Sequence, residues 1–307
     1  MAFDTPITSD GDTITGPARR PRQMLADQAY DGHASVHDGD VADQLGLPGA
    51  PIEGPTHFSQ FDPLCFSLWG RRWFETGCIS AHFQTMVVEG ESVTASLTRG
   101  AGPDIARIDA VKGDGTPVLT GTVGVDPAAT TELGERLAAM QAREPGELFL
   151  LDRLTVGQRS RAATSVSIDL DTTNGSLYPF SLRHKLDAIT EPSPWYDTHD
   201  NPWGRPIVPF EMFSVLANKV GSDLAVRGPA VGLFIDLEVR VVAGPLFVGE
   251  EYVLDREVLA LGQSRRVESH WVETKVTSAV TGVHVATVLL HSGVFKASYA
   301  DYPADRL

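Results

Sequence analysis

Short segments recur in the same order in the two halves of this 307-residue chain. Residues 204–207 (GRPI) resemble residues 49–52 (GAPI) at a separation of 155 residues. Two further matched pairs follow at separations of 159 and 167 residues: 90–91 with 249–250, and 114–118 with 281–285. A slowly growing separation is the expected result of loop insertion after a tandem duplication. The chain is therefore predicted to fold as two related halves.

Each half contains an apolar helical segment followed by strands. In the first half the helix is predicted to begin just after Gly54, and Asp62-Pro63 predicts the N-cap and first residue of a second helical turn. In the second half, apolar residues at three- and four-residue spacing predict a helix from Phe210 to Leu224. Period-two alternation predicts strands over residues 79–87, 93–97, 105–111, 118–125 and 233–241. This pattern indicates an α+β fold with two central helices, each wrapped by an antiparallel sheet.

Proline, glycine and charge mark the expected domain boundaries. Residues 1–22 lack apolar periodicity and are predicted to be a flexible arm. Residues 126–147 carry Pro127, Pro145 and Gly146 around a charged helical segment, and residues 131–146 are predicted to be an exposed connector. The two units are then residues 23–130 and 147–299, with a tail at 300–307.

The composition limits the class of partner. A net charge of −15 disfavours nucleic acid and anionic lipid, so a small-molecule substrate is expected. No apolar run reaches the roughly 20 residues of a membrane span, and residues 1–12 do not form a signal peptide. Cys65 and Cys78 are predicted to be buried free thiols, as in a reducing cytoplasm.

The stretch from His37 to Trp69 carries the main candidate for chemistry. An imidazole at His37 precedes a Gly/Pro-rich loop, and a helix beginning at Gly54 would present unpaired backbone N–H groups. Such an imidazole can move a proton while the N–H groups stabilise a developing oxyanion. His37 could equally hydrogen-bond a loop carbonyl, and Asp38 is as well explained by an N-cap as by catalysis.

The sequence of this stretch resembles the MaoC-like hydratase/dehydratase family, which is similar to the R-specific enoyl-CoA hydratases. The shared features are His37-Asp38, then Ala42, Leu-Gly-Leu-Pro-Gly at 45–49 and Pro-Ile-x-Gly at 51–54. The resemblance implies a double hotdog fold, and a hydro-lyase that adds or removes water next to a carbonyl or an acyl thioester such as an acyl-CoA. It would make His37 the catalytic imidazole and the Gly54 N–H the donor to the thioester oxygen.

One position departs from the family pattern. Family members carry an aspartate five residues before the histidine, where this chain has Gly32. Asp31, one residue earlier, and Asp38, directly after His37, are the candidates to replace it.

A rival set of candidates lies in the second half. Asp197, His199 and Asp200 stand beside Trp195, Tyr196 and Trp203, which would either line a substrate pocket or pack the loop.

Near the first helix start, Glu53 and His57 could contact substrate, although a capping or surface role is favoured. His82 is expected to be solvated. His270, His284 and His291 lie on strands without partners at ligand spacing, so no metal is predicted.

Other function classes stay open. Phosphate-loop, dinucleotide, CxxC and Gly-x-Ser-x-Gly motifs are absent, so no cofactor and no serine nucleophile are predicted. A thioesterase on the same fold is one alternative. A repurposed lyase or cyclase, or a small-molecule binder without catalysis, is another, since it would explain the missing aspartate. Two hotdog units in one chain already form a pseudo-dimer, so both a monomer and a homodimer are compatible with the sequence.

Overall fold

The computed structural model describes residues 2–29, 32–162 and 164–306. One antiparallel sheet runs through this part of the chain, with helices packed on its faces. The strands are β1 Thr8–Asp10, β2 Thr13–Thr15, β3 Cys78–Phe83, β4 Val93–Arg99, β5 Ile105–Lys112, β6 Pro117–Gly124, β7 Arg159–Arg161, β8 Gly232–Val241, β9 Tyr252–Gln263, β10 Val267–Ser278 and β11 His284–Phe295. The α-helices are α1 Gly39–Gln44, α2 Asp62–Trp69, α3 Arg72–Thr76, α4 Glu132–Gln141, α5 Leu182–Leu186 and α6 Phe213–Asn218.

The strand order shows the duplication predicted from the sequence. From edge to edge the strands run β1-β2-β4-β5-β6-β3-β8-β11-β10-β9-β7. The order β4-β5-β6-β3 in the first half is mirrored by β9-β10-β11-β8 in the second. The halves join where β3 pairs antiparallel with β8, with Ile79 opposite Val239 and Ala81 opposite Leu237. The sheet is thus continuous across the two units.

A central helical segment precedes the seam strand in each half. In the first half a 3-10 helix, Gly54–Phe61, leads directly into α2, so the predicted break at Asp62-Pro63 is confirmed. Asp62 is not an N-cap, because its buried carboxyl accepts hydrogen bonds from Trp73 Nε1 at 2.8 Å and from the Tyr196 hydroxyl at 2.9 Å. In the second half a 3-10 turn, Phe210–Met212, leads into α6, which ends before the predicted Leu224.

Aromatic packing holds the two central segments together. The rings of Trp73 and Phe210 are stacked with centroids 4.4 Å apart, and both side chains are buried. Aromatic pairs of this kind contribute about 0.5–1.5 kcal/mol beyond the free energy of the area that they bury.

Cys65 and Cys78 are free and buried, as predicted.

Two segments expected to be exposed are attached to the sheet. Within the predicted arm, β1 and β2 form a hairpin, and β2 pairs with β4. Within the predicted connector, α4 packs through Leu133, which is completely buried in a cluster with Ala260, Trp271 and Leu289. Among the described helices, none combines the length and the apolarity that crossing a bilayer requires.

Candidate active site

His37 lies on the loop before α1, with its ring mostly buried. Its Nδ1 is 2.7 Å from the carbonyl oxygen of Pro51. A carbonyl can only accept, so Nδ1 carries the proton and donates it, which leaves Nε2 of the neutral ring as the basic nitrogen. Burial lowers the pKa of His37, although the hydrogen bond to Pro51 opposes this. The ring is therefore neutral at pH 7 and can accept a proton at Nε2.

The carboxylates expected to assist His37 do not contact its ring in the described part of the chain. Asp38 is exposed and caps α1, since its Oδ1 accepts from the backbone N–H of Asp40 at 2.9 Å and of Val41 at 3.1 Å. This is the capping alternative considered above. Asp31 lies outside the described residues. The hydrogen bond of the ring to Pro51 is to a carbonyl, which is the arrangement that the sequence left open beside catalysis.

Gly54 begins the first 3-10 helix, as predicted. Glu53 occupies the N-cap position, but no side chain caps the helix start. The ring of Phe83 packs against Gly54 so closely that a Cβ at this position would lie 2.8 Å from it. Gly54 is three positions after Pro51, so the anchor of His37 and the helix start lie within about 11 Å of each other along the chain. The loop that holds the ring of His37 thus leads directly into the predicted oxyanion site.

A buried group of polar side chains lies between the two central segments; we call Glu53, Thr56, His57, Lys185 and Glu211 the inter-helix cluster. All five are at most 7% exposed. Lys185 Nζ lies 3.2 Å from Glu211 Oε1 and donates to Thr56 Oγ1 at 3.2 Å. Because the 3-10 segments of both halves pack on each other here, the cluster contains residues from both units.

Burial shifts the pKa values of the inter-helix cluster. It raises the pKa of Glu53 to about 7, while the charge of Lys185 lowers it and that of Glu211 raises it. It also raises the pKa of Glu211, against the charge of Lys185 and hydrogen bonds from Ser59 and Lys185. His57 is neutral, because burial and then the charges of Lys185 and Lys112 lower its pKa to about 4.

Sequence reasoning missed much of this cluster. The favoured capping or surface role for Glu53 and His57 is wrong, because both side chains are buried and neither caps the helix. Lys185 and Glu211 were not singled out. Lys185 stands in a short polar helix, and its contact with Thr56 joins positions 129 residues apart, so no local pattern could reveal it.

The rival candidates lie on an exposed loop of the second half. Asp197, His199 and Asp200 are exposed. His199 Nδ1 is 2.9 Å from the carbonyl oxygen of Gly204, within the same loop. The neighbouring aromatic side chains pack the loop onto the body of the protein, as in the contacts of Trp195 with Phe66, Phe74 and Trp203. The described structure therefore supports the packing alternative for these rings.

A cavity of about 730 Å³ lies between the N-terminal segment and the loop after α5. Its lining combines both signs of charge with apolar groups: Ala2, Asp4, Thr5, Pro6, Arg19, Arg183, Leu186, Asp187, Ile189, Pro192, Ser193, Pro194 and Asp197. The buried Glu191 beside it accepts hydrogen bonds from Thr5 and from Arg19. The N-terminal segment is thereby fixed to one wall of this cavity.

A smaller cavity of about 250 Å³ lies beside α1; we call it the cation pocket. Its charged lining residues are Arg265, Arg266 and Lys296, next to Gln44 and Leu45 of α1. The ion pairs found among the described residues include none of these three cations. The pocket is thus a local positive site in an acidic chain.

A third polar group lies on the outer face of the sheet. The carboxylate of Asp236 accepts from His82 Nδ1 at 2.7 Å and from His291 Nδ1 at 2.5 Å, and it pairs with Arg136 at 3.0 Å. The expectation of a solvated His82 is therefore wrong. In the described ranges no group of three or more His, Cys, Asp or Glu side chains is arranged to hold a metal ion.

The comparisons with known proteins agree on the fold. No protein-family model and no curated protein matches the chain. Among solved structures, it is similar to a protein named as a MaoC domain protein dehydratase from Chloroflexus aurantiacus J-10-fl, with 14% identity, a TM-score of 0.55, and 96% of this chain and 95% of that one covered.

A second neighbour is the dehydratase domain of PpsC from Mycobacterium tuberculosis, solved in complex with C12:1-CoA. The identity is 13% and the TM-score 0.50, over 95% of this chain and 98% of that one. The H959F variant of the same domain gives 14% identity and a TM-score of 0.51, over 94% and 96% of the two chains. The predicted resemblance is thereby confirmed at the level of fold: the chain has the double hotdog fold of MaoC-like dehydratases.

Proposed function

We propose that the chain is a hydratase/dehydratase that adds water to, or removes it from, the carbon–carbon bond next to an acyl carbonyl. The observation that carries this proposal is the state of His37. Its Nδ1 is committed to the Pro51 carbonyl, so Nε2 is a neutral base, and Pro51 lies three positions before an uncapped helix start. A base and free backbone N–H groups are the components that such a reaction needs.

In the dehydration direction, Nε2 of His37 removes the proton from the carbon next to the carbonyl. The carbonyl oxygen gains negative charge, which the backbone N–H of Gly54 and the positive end of the helix stabilise. The β-hydroxyl then leaves with a proton as water, and a carbon–carbon double bond forms. Hydration is the reverse, with the α-carbon receiving its proton from His37.

The substrate we propose is an acyl thioester of a phosphate-bearing carrier, such as CoA. The cation pocket supports this, since Arg265, Arg266 and Lys296 offer positive charge next to the helix that follows His37. Arginine and lysine are the side chains that bind phosphate groups best. A cytoplasmic location fits the two free buried thiols.

A binder without catalysis is the second candidate. It is favoured by one observation: the ring of His37 is hydrogen-bonded to a carbonyl, while Asp38 caps a helix instead of orienting the imidazole. A thioesterase is the third candidate, and it would cleave the same class of substrate at the acyl–sulfur bond.

The test compares His37→Ala with His199→Ala on crotonyl-CoA and longer trans-2-enoyl-CoA substrates. Because general acid–base catalysis contributes roughly 10²–10⁴-fold, His37→Ala should lower kcat by about that factor and keep the wild-type circular dichroism. His199→Ala should retain wild-type turnover, since that ring is exposed and bonded within its own loop.

The other outcomes distinguish the alternatives. Full activity in His37→Ala would exclude His37 as the base. Thermal stabilisation by an enoyl-CoA without turnover would indicate a binder, and release of free CoA thiol would indicate a thioesterase.

A further inference from the structure

Glu53 is a buried carboxyl for which the fold has no evident use. It occupies the N-cap position of the first 3-10 helix, where its backbone carbonyl accepts from the Thr56 N–H but its side chain makes no capping hydrogen bond. Its Oε1 is shielded from solvent and has no hydrogen-bond partner among the described residues. Burying a polar atom without a partner costs about 1–3 kcal/mol, so an arrangement of this kind points to a functional role.

The charges around Glu53 determine where a proton resides. Two carboxyls, Glu53 and Glu211, share one ammonium group, that of Lys185, while His57 is neutral. Two ionised carboxylates would leave a net negative charge in a region without solvent, so one of them stays protonated. Lys185 lies 3.2 Å from Glu211, which makes Glu211 the ionised partner. Glu53 therefore holds the proton, in agreement with its raised pKa.

The position of Glu53 in the chain brings this acid to the proposed site. It directly precedes Gly54, whose N–H would bind the substrate oxygen. It also lies two residues after Pro51, whose carbonyl fixes the ring of His37. The Cα atoms of Pro51 and Glu53 are at most about 7 Å apart. A base and an acid thus flank one short loop, which needs no carboxylate at position 32.

We propose that Glu53 is the proton donor to the departing hydroxyl group, replacing the aspartate that the sequence lacks. This proposal rests on the proposed hydratase/dehydratase function. In dehydration the Cα–H bond breaks toward Nε2 of His37, the Cβ–O bond breaks, and the carboxyl proton of Glu53 leaves with the hydroxyl as water. Imidazolium and carboxylate remain, and exchange of one proton with solvent restores both groups.

Lys185 and Glu211 act on Glu53 as positioning residues. Their ion pair uses most of the positive charge that would otherwise ionise Glu53. The other groups near this pair are neutral or more remote: His57, and Lys112, which is paired with Glu91 at 2.8 Å. Removing the carboxylate of Glu211 should therefore free Lys185 to stabilise the ionised form of Glu53.

The experiment measures pH profiles of kcat on crotonyl-CoA and longer trans-2-enoyl-CoA. The active form holds one proton between His37 and Glu53, so the wild-type profile should be a bell whose alkaline limb falls near the pKa of Glu53, about 7. Because hydration of these substrates needs Glu53 ionised and His37 protonated, Glu53→Gln should lower kcat about 10²–10⁴-fold and abolish the acidic limb. In Glu211→Gln the alkaline limb should move to lower pH.

A second readout does not depend on turnover. The infrared spectrum near neutral pH should contain a carboxylic-acid C=O band that is lost in Glu53→Gln, while the band of the other buried acid, Asp62, persists. Glu273→Gln is the matched control: burial also raises the pKa of this carboxyl, but it lies on β10, where its charged neighbours are Glu257, Glu238 and Lys275. The pH profile of kcat for this variant should keep both the acidic and the alkaline limb of the wild type.

The outcomes separate this inference from the proposed function. Suppose that Glu53→Gln keeps the wild-type kcat and both limbs of its pH profile, while His37→Ala is inactive. The role of Glu53 is then refuted, and the proposed hydratase/dehydratase function is retained. An unchanged infrared band in Glu53→Gln also refutes it. If the wild-type chain turns over none of these substrates, both proposals fail together.

Discussion

Asp62 and Asp236 are both completely buried, yet their surroundings shift their pKa values in opposite directions. Burial raises the pKa of Asp62 to about 8, against two neutral donors, Trp73 and Tyr196, that lower it. Burial also raises the pKa of Asp236, but hydrogen bonds from His291 and His82 and the charge of Arg136 outweigh it and bring the value to about 2. Asp62 is thus neutral at pH 7 and Asp236 is ionised.

For Asp62 we predict that Asn is tolerated. A protonated carboxyl and an amide have the same shape, and the amide oxygen can still accept from Trp73 Nε1 while its NH₂ group donates to the Tyr196 oxygen. Because the folded pKa of Asp62 is raised, the wild type loses stability as the pH rises from about 4 to about 8. Asp62→Asn should escape this loss.

Urea unfolding at pH 5, 6, 7 and 8 measures the effect. The free energy of unfolding of Asp62→Asn, relative to wild type, should increase steadily over this range. A difference that is constant with pH would show that Asp62 is already ionised in the folded protein.

For Asp236 the stability contribution changes with pH in the opposite direction. Its folded pKa is depressed, so its stabilising contribution is present above the unfolded value of about 4 and is lost as the pH falls toward 2. Asp236→Asn should lower the free energy of unfolding by about 1.5–3 kcal/mol at pH 7, because the carboxylate that accepts from His82 and His291 loses its charge. In the same urea titration at pH 3, the loss of unfolding free energy in Asp236→Asn relative to wild type should be smaller. An equal loss at both pH values would contradict the ion pair.

These residues also show what the sequence could and could not predict. His37, Pro51 and Gly54 lie within one continuous stretch, so their proximity followed from local pattern and resemblance. The contact of His82 with Asp236 joins positions 154 residues apart, and that of Tyr196 with Asp62 joins positions 134 apart. The first contact depends on the register of β3 against β8 and the second on how the two halves pack, and no local periodicity specifies either.

At the scale of elements, α4 is held to the sheet by a narrow apolar face. Its N-cap Thr131 accepts from the Gly134 N–H and donates to the carboxylate of Glu238 on β8. Leu133, two residues further along, is completely buried against Trp271, whereas Glu135 is exposed. A helix of ten residues is too short to be stable alone, so these contacts determine whether it forms.

We predict that Leu133→Ala destabilises the protein by about 2–5 kcal/mol, through lost burial and the cavity that remains. Glu135→Ala, on the solvent side of the same helix, should stay within about 0.5 kcal/mol of wild type. Chemical denaturation of both variants checks the difference. Equal stabilities would mean that α4 is not docked through Leu133.

The elements themselves were largely predictable, because periodicity is a local property. The strands β4, β5, β6 and β8 and the helix start at Gly54 lie where alternation and turn residues predicted them. The hairpin of β1 and β2 was missed, since its six residues are too few to show a period. Docking of α4 was missed because its apolar face is reduced to Leu133, Leu137 and Met140 among charged neighbours.

At the scale of the whole molecule, the two units share one sheet and one interior. The β3–β8 seam pairs Cys78–His82 with residues 236–240. The contacts of Lys185 with Thr56 and of Tyr196 with Asp62 cross between the same halves. If the units were separated, each would expose an unpaired strand and buried ionisable groups, both of which are costly. The boundaries proposed near residues 131–146 therefore mark where the chain can be cut, not where folding becomes independent.

A chain divided between Arg143 and Glu144, both exposed, tests this directly. Co-expressed residues 1–143 and 144–307 should assemble one to one and co-elute in size-exclusion chromatography, because the break leaves the seam and the docking of α4 intact. Either piece expressed alone should aggregate through its open strand. Ala81→Pro, which removes a backbone donor in the middle of the seam, should prevent assembly. A stable, monomeric fold for either piece alone would show that the halves are autonomous domains and that the shared interior is not required for folding.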